Sequence, residues 1–539
     1  MTIRIKLGMV SMLLLATTLL YGQFLHNPII FDDQPFFTED AYGHQPVDNF
    51  QYSPLELRSL PYATLAWSKA LFGLDLMHFR IENLLLHAAV TVVLFFFLAQ
   101  IFALLLPERG KQQFSLAVLA FCAALLFALH PIGVYATGYL VQRTMLMATL
   151  FSLLALLSYL HGSIRNKHEW LWVSVLFYYL AVFSKEHAIL LPGMLLALTI
   201  LLHEDWRLKL KQRLGVGLAF SLIALFVVSA SKGILGAVYE PGAPEMLVNP
   251  DSKLNYPLSV LTQSWLFFKY AALWLFPNPH WMSVDMREPF AASLWSGYLA
   301  AFFAFLAWGT LAVWLLFKRG RLGLLGFALL FPWVMFLPEF STVRIQETFV
   351  LYRSYLWAAG ACALLPLLLD HFNKRMAGIV AGAVALALFP IAMERMATFS
   401  HPLTMWDDAA KLLVGKVDEV SFARIYNNRG LEKLNLMHFD DAREDFKLAI
   451  RMNPNSPFAY ANIGAAFLQE GEWEKAIDAF NRAIEIMRLS GKNLDSRPFS
   501  GKGNAYEAMG KLNEARANYG ISCKLANKGC DKLTNVNNR

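Results

Sequence analysis

Runs of close to 20 apolar residues recur along the first 395 positions of this 539-residue chain. Each is long enough, as a helix, to cross a hydrocarbon core of about 30 Å. Composition agrees: the chain is 56% hydrophobic and only 16% charged, whereas soluble domains carry about 25% charged residues. The expected fold is all-α, a polytopic membrane bundle of about eleven transmembrane helices over residues 1–398. From about Ser400–Pro402 onward the chain turns polar and has no run that spans, so 399–539 reads as a separate domain.

The expected spans are 7–23, 83–106, 115–131, 144–161, 169–184, 187–202, 214–231, 294–317, 322–338, 350–369 and 376–393. Basic residues sort onto one side of them. Arg4 and Lys6, Arg109 and Lys111, Arg165 and Lys167, "RLKLKQR" at 207–213, "KRGR" at 318–321 and "NKR" at 373–375 all fall in the cytoplasm, as the positive-inside rule requires. The run 256–276 breaks this order if it crosses, and is expected to be re-entrant or interfacial. The N-terminus has the charged-then-apolar form of a signal peptide without a clean cleavage site, and reads as a retained first span. An odd number of crossings places the first outer loop, 24–80, and the C-terminal domain together outside the cytoplasm. The +7 net charge does not imply nucleic acid, because no basic stripe carries interleaved aromatics.

The C-terminal domain repeats at a period of 34. Gly430, Ala442, Phe446 and Ala449 return as Gly464, Ala476, Phe480 and Ala483, and a third copy carries Gly503, Tyr506, Gly510 and Ala515. Small residues at these places let antiparallel helices approach closely, and each pair buries its face on the next. This is the tetratricopeptide pattern, an α-solenoid with repeats at about 423–456, 457–490 and 496–530, whose ordinary role is binding. Cys122 and Cys362 lie inside spans as small apolar residues. Cys523 and Cys530 are open between a disulfide, which an oxidising compartment permits, and two free thiols.

Directly after the first span, "FLHNPIIFDDQPFFTED" places Asp32, Asp33, Glu39 and Asp40 at the membrane rim. The plain reading is a solvated polar loop. The functional one is that Asp32 or Asp33 takes a proton from a hydroxyl as that hydroxyl attacks a lipid-borne donor. A departing phosphate then needs a cation. "RIQETFVLYRSYLW" supplies Arg344 and, inside the apolar zone, Arg353, a costly placement that points to function unless it merely snorkels. Arg143 is a third cation on that side. Lys185, Glu186 and His187 lie in a tight outer turn and also read as a self-neutralising ion pair. His78, His87 and His130 lack metal-ligand spacing, so no metal and no other cofactor is expected.

The order of "FDD" after span one, "HFRIENLLLHA", "HP", "SKE" in an outer turn, "YRSYL" and "MWDDA" before the repeats resembles the transmembrane and tetratricopeptide-repeat O-mannosyltransferases and their bacterial relatives. The resemblance covers nearly the whole chain. It implies a GT-C glycosyltransferase fold, a polyprenyl-phosphate sugar donor and inverting transfer to Ser/Thr of exported proteins. On it, Asp32 falls at the catalytic acid and Asp33 beside it. Asn83 and His87 match the family's second span, and Arg353 with Tyr355 an "R-x-Y" at the donor phosphate. The chain departs at Gly133 and Tyr135 of "HPIGVYATG", where the family has a His and an acid, and at Leu351, for which Glu347 is the nearest substitute. Expected partners are a membrane lipid-linked sugar and an acceptor polypeptide bound by the repeats. No Asn-x-Ser/Thr sequence occurs, which leans toward a bacterial inner membrane with periplasmic repeats over an endoplasmic reticulum. The rival readings are a lipid-linked oligosaccharide ligase or polymerase, and a non-enzymatic repeat scaffold anchored for a secretion or pilus system.

Overall fold

A computed structural model describes residues 3–38, 46–106, 112–230, 252–345, 347–369, 372, 374–416, 419–490, 493–526 and 530–537. Every regular element is helical. The chain forms two compact units, one ending at Ser400, the other built from His401–Arg539 together with the short stretch Ser283–Arg287.

In the first unit, α1 (Ile3–Tyr21) leads to an outer stretch carrying α2 (Ser59–Phe72). Then come α3 (Leu76–Leu105), α4 (Gln112–Ala128), α5 (Arg143–Arg165), α6 (His168–Ser184) and α7 (Leu191–Leu202). Next are α8 (Trp206–Gln212), α9 (Leu214–Ala230) and α10 (Asn255–Leu275). The unit closes with α11 (Tyr298–Phe317), α12 (Gly320–Phe336), α13 (Ser354–Ala361) and α14 (Lys374–Ala397). Large apolar side chains stand exposed on their outer faces, among them Leu15, Leu222, Phe303, Trp314 and Leu386. Lipid covers such faces, and water does not.

Among the described residues seven helices are long and apolar enough to span, or eight if the α8–α9 pair, bent by 75°, is one span. The expected eleven is therefore too many. The runs at 115–131, 169–184, 187–202 and 214–231 form helices of at most 17 residues, and α7 has only 12. Twelve residues rise about 18 Å, well short of a bilayer core. The helices follow the apolar runs closely, and in the 187–202 run the 3-10 turn Glu186–Leu190 leads directly into α7, one apolar helix too short for a span by length. The 256–276 run is one helix, α10, and is not among the candidate spans.

Chain direction alternates through the bundle, so functional groups collect at one end. The turn after α1, the start of α3, the loop after α4, the start of α5, the turn after α6 and the segment between α12 and α13 all lie there. The opposite helix ends carry Lys6, Arg165 and Arg319.

The second unit opens with α15 (Pro402–Lys411), followed by three helix pairs. These are α16 (Ala423–Asn435) with α17 (Phe439–Met452), α18 (Pro457–Gln469) with α19 (Trp473–Leu489), and α20 (Ser496–Ala508) with α21 (Leu512–Ala526). Each pair closes by seating an aromatic ring over a glycine: Phe446 on Gly430, Phe480 on Gly464 and Tyr519 on Gly503. A β-carbon there would lie 2.5–2.9 Å from the ring. A disulfide joins Cys523 to Cys530, whose Cα atoms are 5.0 Å apart, and α22 (Cys530–Asn537) follows.

Candidate functional site

The early acids sit in a turn of 3-10 helix, Phe31–Asp33. Phe31 opens it with φ of +37°, a left-handed conformation that costs a side-chain-bearing residue about 1–2 kcal/mol. Such strain persists only where surroundings enforce it. Arg80 of α3 does so, donating to the carbonyls of Asn27 (2.9 Å), Pro28 (2.6 Å) and Gly138 (2.9 Å). The Asn27 amide also reaches the Met396 carbonyl at 3.4 Å.

The turn sends the two aspartates to different places. Asp33 is fully buried and accepts from the backbone N–H of Leu140 (3.0 Å) and Val141 (2.9 Å). Burial pushes its carboxyl up to about 6, against the two amides and the Arg80 charge that pull it down. Its oxygens are committed to holding the 138–141 segment. Asp32 is only half-buried and acts electrostatically on Tyr139 and Tyr352. Glu39 and Asp40 lie outside the described residues.

Arg143, one of the expected phosphate ligands, is engaged by protein groups. It is 2% exposed and donates to Asn83 Oδ1 (3.0 Å), Thr64 Oγ1 (3.1 Å) and the Phe79 carbonyl (3.2 Å), with Glu82 at 2.6 Å. An arginine with its donors spent this way fixes α5 to α3. Asn83 in turn donates to the Tyr139 carbonyl at 2.9 Å. Tyr355 is likewise committed: His87 Nε2 faces the Ala128 carbonyl at 3.0 Å, so Nδ1 accepts from the Tyr355 hydroxyl at 2.6 Å. His130 lies against Trp274, 4.1 Å between ring centroids, and Trp274 donates to Ser354 at 3.0 Å. None of these histidines shares a metal-ligand cluster with another among the described residues.

The remaining charges form one chain of ion pairs around Glu339, which is 1% exposed. Its carboxylate takes His187 Nε2, Arg344 Nε and Arg353 Nη1, each at 3.1 Å. Arg353 Nη2 goes on to Glu347 at 2.8 Å. Glu186 does not neutralise its neighbour Lys185. It pairs instead with Arg58, 128 positions earlier, through Nε at 3.0 Å and a second contact from Nη2. Arg344 and Arg353, the expected phosphate ligands, are thus already matched by carboxylates.

That leaves Lys185. It is 7% exposed, and no carboxylate lies within ion-pair distance of its ammonium among the described residues. The ammonium lies over the Tyr352 ring, 5.6 Å from its centroid. Burial lowers Lys185 to about 7, with Arg58 adding to the shift and Glu186 opposing it. Tyr352 therefore has the Lys185 ammonium over its ring and feels the charge of the half-buried Asp32 from a distant part of the chain. Group transfer to a hydroxyl uses a carboxylate to take the proton and a cation to meet the departing anion.

Sequence reasoning missed Glu339, Arg58, Arg80 and Tyr352. An acid in "FLPEF" at the end of an apolar run was a usable signal, since ionisable groups at such depth are costly. Arg58 and Arg80 gave none, because their partners are carbonyls or side chains far away in sequence.

Tetratricopeptide repeat models match residues 423–456 and 457–487. The human protein O-mannosyl-transferase TMTC3 is 23% identical over 95% of this chain and 59% of its own length. Human protein O-mannosyl-transferase TMTC1 is 31% identical over 28% of this chain and 18% of its own. The mitochondrial import receptor subunit TOM70 of Rattus norvegicus is 28% identical over 28% of this chain and 24% of its own. This chain spans less than two thirds of the length of each. It is similar to one protein named protein O-mannosyl-transferase along nearly its whole length, and to another and to the import receptor subunit over little more than a quarter.

Proposed function

We propose that this chain is a membrane glycosyltransferase of GT-C type that moves a sugar from a polyprenyl-phosphate donor to Ser/Thr hydroxyls of an exported protein. The carrying observation is the buried Lys185 ammonium over the Tyr352 ring, with no carboxylate in ion-pair distance among the described residues, while the half-buried Asp32 acts electrostatically on the same tyrosine. Asp32 accepts the proton of the acceptor hydroxyl. That oxygen bonds to the anomeric carbon as the carbon–oxygen bond to phosphate breaks, with inversion, and the polyprenyl phosphate leaves. Lys185 stabilises the charge gathering on the phosphate. Arg58, Arg344 and Arg353 are balanced by Glu186, Glu339 and Glu347, a neutralised surround in which Lys185 supplies the unmatched charge. The outer stretch bearing α2 excludes water, and the repeats bind the acceptor polypeptide. The reaction runs at a bacterial inner membrane with the repeats periplasmic, and it uses no metal.

Asp32→Asn tests this directly. Protein-bound hexose, read by mass spectrometry in cells producing either form, is expected to fall by at least ~10²-fold with membrane insertion unchanged. Undiminished transfer defeats the assignment. Addition of a long glycan instead of one sugar unit would favour a ligase.

A further inference from the structure

At the end of the bundle away from Tyr352, α1, α3, α4, α5 and α6 enclose a cavity of about 640 Å³, within the range of small-molecule sites. Its walls are apolar and aromatic, with Phe96, Leu157, Trp170 and Phe177 facing in. Its polar lining is Lys6, His161 and Arg165 with the neutral Gln100 and Ser158, and no carboxylate lines it among the described residues. Neither Lys6 nor Arg165 has an acidic partner within ion-pair distance among the described residues, and both are exposed. Lys167 follows Arg165 by two residues and acts with it electrostatically on His161, so three cations, Lys6, Arg165 and Lys167, crowd one rim.

Like charges gathered without counter-ions destabilise one another unless an anion joins them. The apolar walls continue into the membrane-spanning part of the bundle, which fits a hydrocarbon tail. Basic pockets between spanning helices recognise phosphate headgroups in this way. The site is not the one around Tyr352: from Lys6 to Tyr21 alone α1 rises roughly 22 Å. We infer that this cavity binds an anionic phospholipid of the surrounding bilayer, its phosphate on Lys6 and Arg165 and one acyl chain along Phe96 and Phe177.

The test uses the purified full chain and native mass spectrometry with phosphatidylglycerol and phosphatidylcholine of identical acyl chains. Wild type is expected to retain phosphatidylglycerol at a concentration at least tenfold lower than phosphatidylcholine. Lys6→Gln with Arg165→Gln, which keeps Arg4 to orient the first span, should erase that preference. Ala99→Trp, which fills the cavity from α3, should reduce retention of both lipids. Equal retention of the two lipids by wild type overturns the proposal, as does an unchanged preference in the double variant or undiminished retention by Ala99→Trp. Displacement of phosphatidylglycerol by an equal concentration of a polyprenyl phosphate assigns the cavity to the sugar carrier and overturns the phospholipid reading.

Discussion

Glu339 is the single residue on which most of the charge cluster depends. Gln in its place would leave Arg344 and Arg353 facing a neutral group in a buried setting, and breaking one side of such a pair costs about 3–5 kcal/mol. Thermal unfolding of Glu339→Gln in detergent should show that loss, while Glu347→Gln, whose carboxylate is 37% exposed, should cost far less. Lys185 makes a prediction of another kind. Its charge is lost as pH rises through about 7, so the donor KM should climb above neutral pH. Lys185→Arg, charged throughout, should flatten that rise. Asp33 has a folded-state pKa of about 6 against an ordinary 3.8. The folded chain therefore holds the extra proton between those values, and the contribution of Asp33 to stability is lost as pH rises across that window. The difference in unfolding midpoint between wild type and Asp33→Asn should shift against wild type from pH 4 to 6. The acid doublet was legible in "FDDQ", but that Asp33 is the fully buried member was not, since that depends on amides more than 100 positions away. Distance in sequence likewise hid the commitment of Arg143, to groups 60 to 79 positions away, and of Tyr355, to His87 268 positions away.

Helices packed in lipid gain from close backbone approach, and α11 and α12 meet that way. A β-carbon on Gly326 would stand 2.3 Å from the Leu316 nitrogen and 2.7 Å from the Ala312 carbonyl. Backbone atoms cannot swing aside, so Gly326→Ala should force the pair apart and cost about 1–3 kcal/mol. Gly193→Ala meets only a Val334 methyl at 3.6 Å and should be neutral. A protease-protection or thermal assay on both variants separates the two outcomes. At this scale the sequence was a good guide to which runs are helical and to many of their ends, as at His168–Ser184 and Leu214–Ala230. Hydropathy sees the apolar stretch but not the 3-10 turn Glu186–Leu190 between α6 and α7, which is tied by Glu186 to Arg58 and by His187 to Glu339.

Two compact units in one chain allow their roles to be separated by experiment. If the repeats only recruit acceptor protein, residues 1–400 should still bind donor and transfer sugar to a short Ser/Thr peptide, and should lose transfer to the native acceptor. The repeat pattern at 34 residues was visible because identical packing demands recur: a glycine under Phe446, under Phe480 and under Tyr519. The bundle has no such period, and its functional end emerged only from the alternation of chain direction. Lys185, left without a carboxylate, has one further consequence. A sugar-bearing phosphodiester presents a single negative charge, but the spent phosphomonoester presents about 1.5 to 2 at neutral pH. On the proposed chemistry the ammonium would grip the product harder than the substrate, so departure of the empty carrier should pace the cycle. Rapid mixing would then record a first-turnover burst followed by a slower steady state, and Lys185→Ala would abolish the burst.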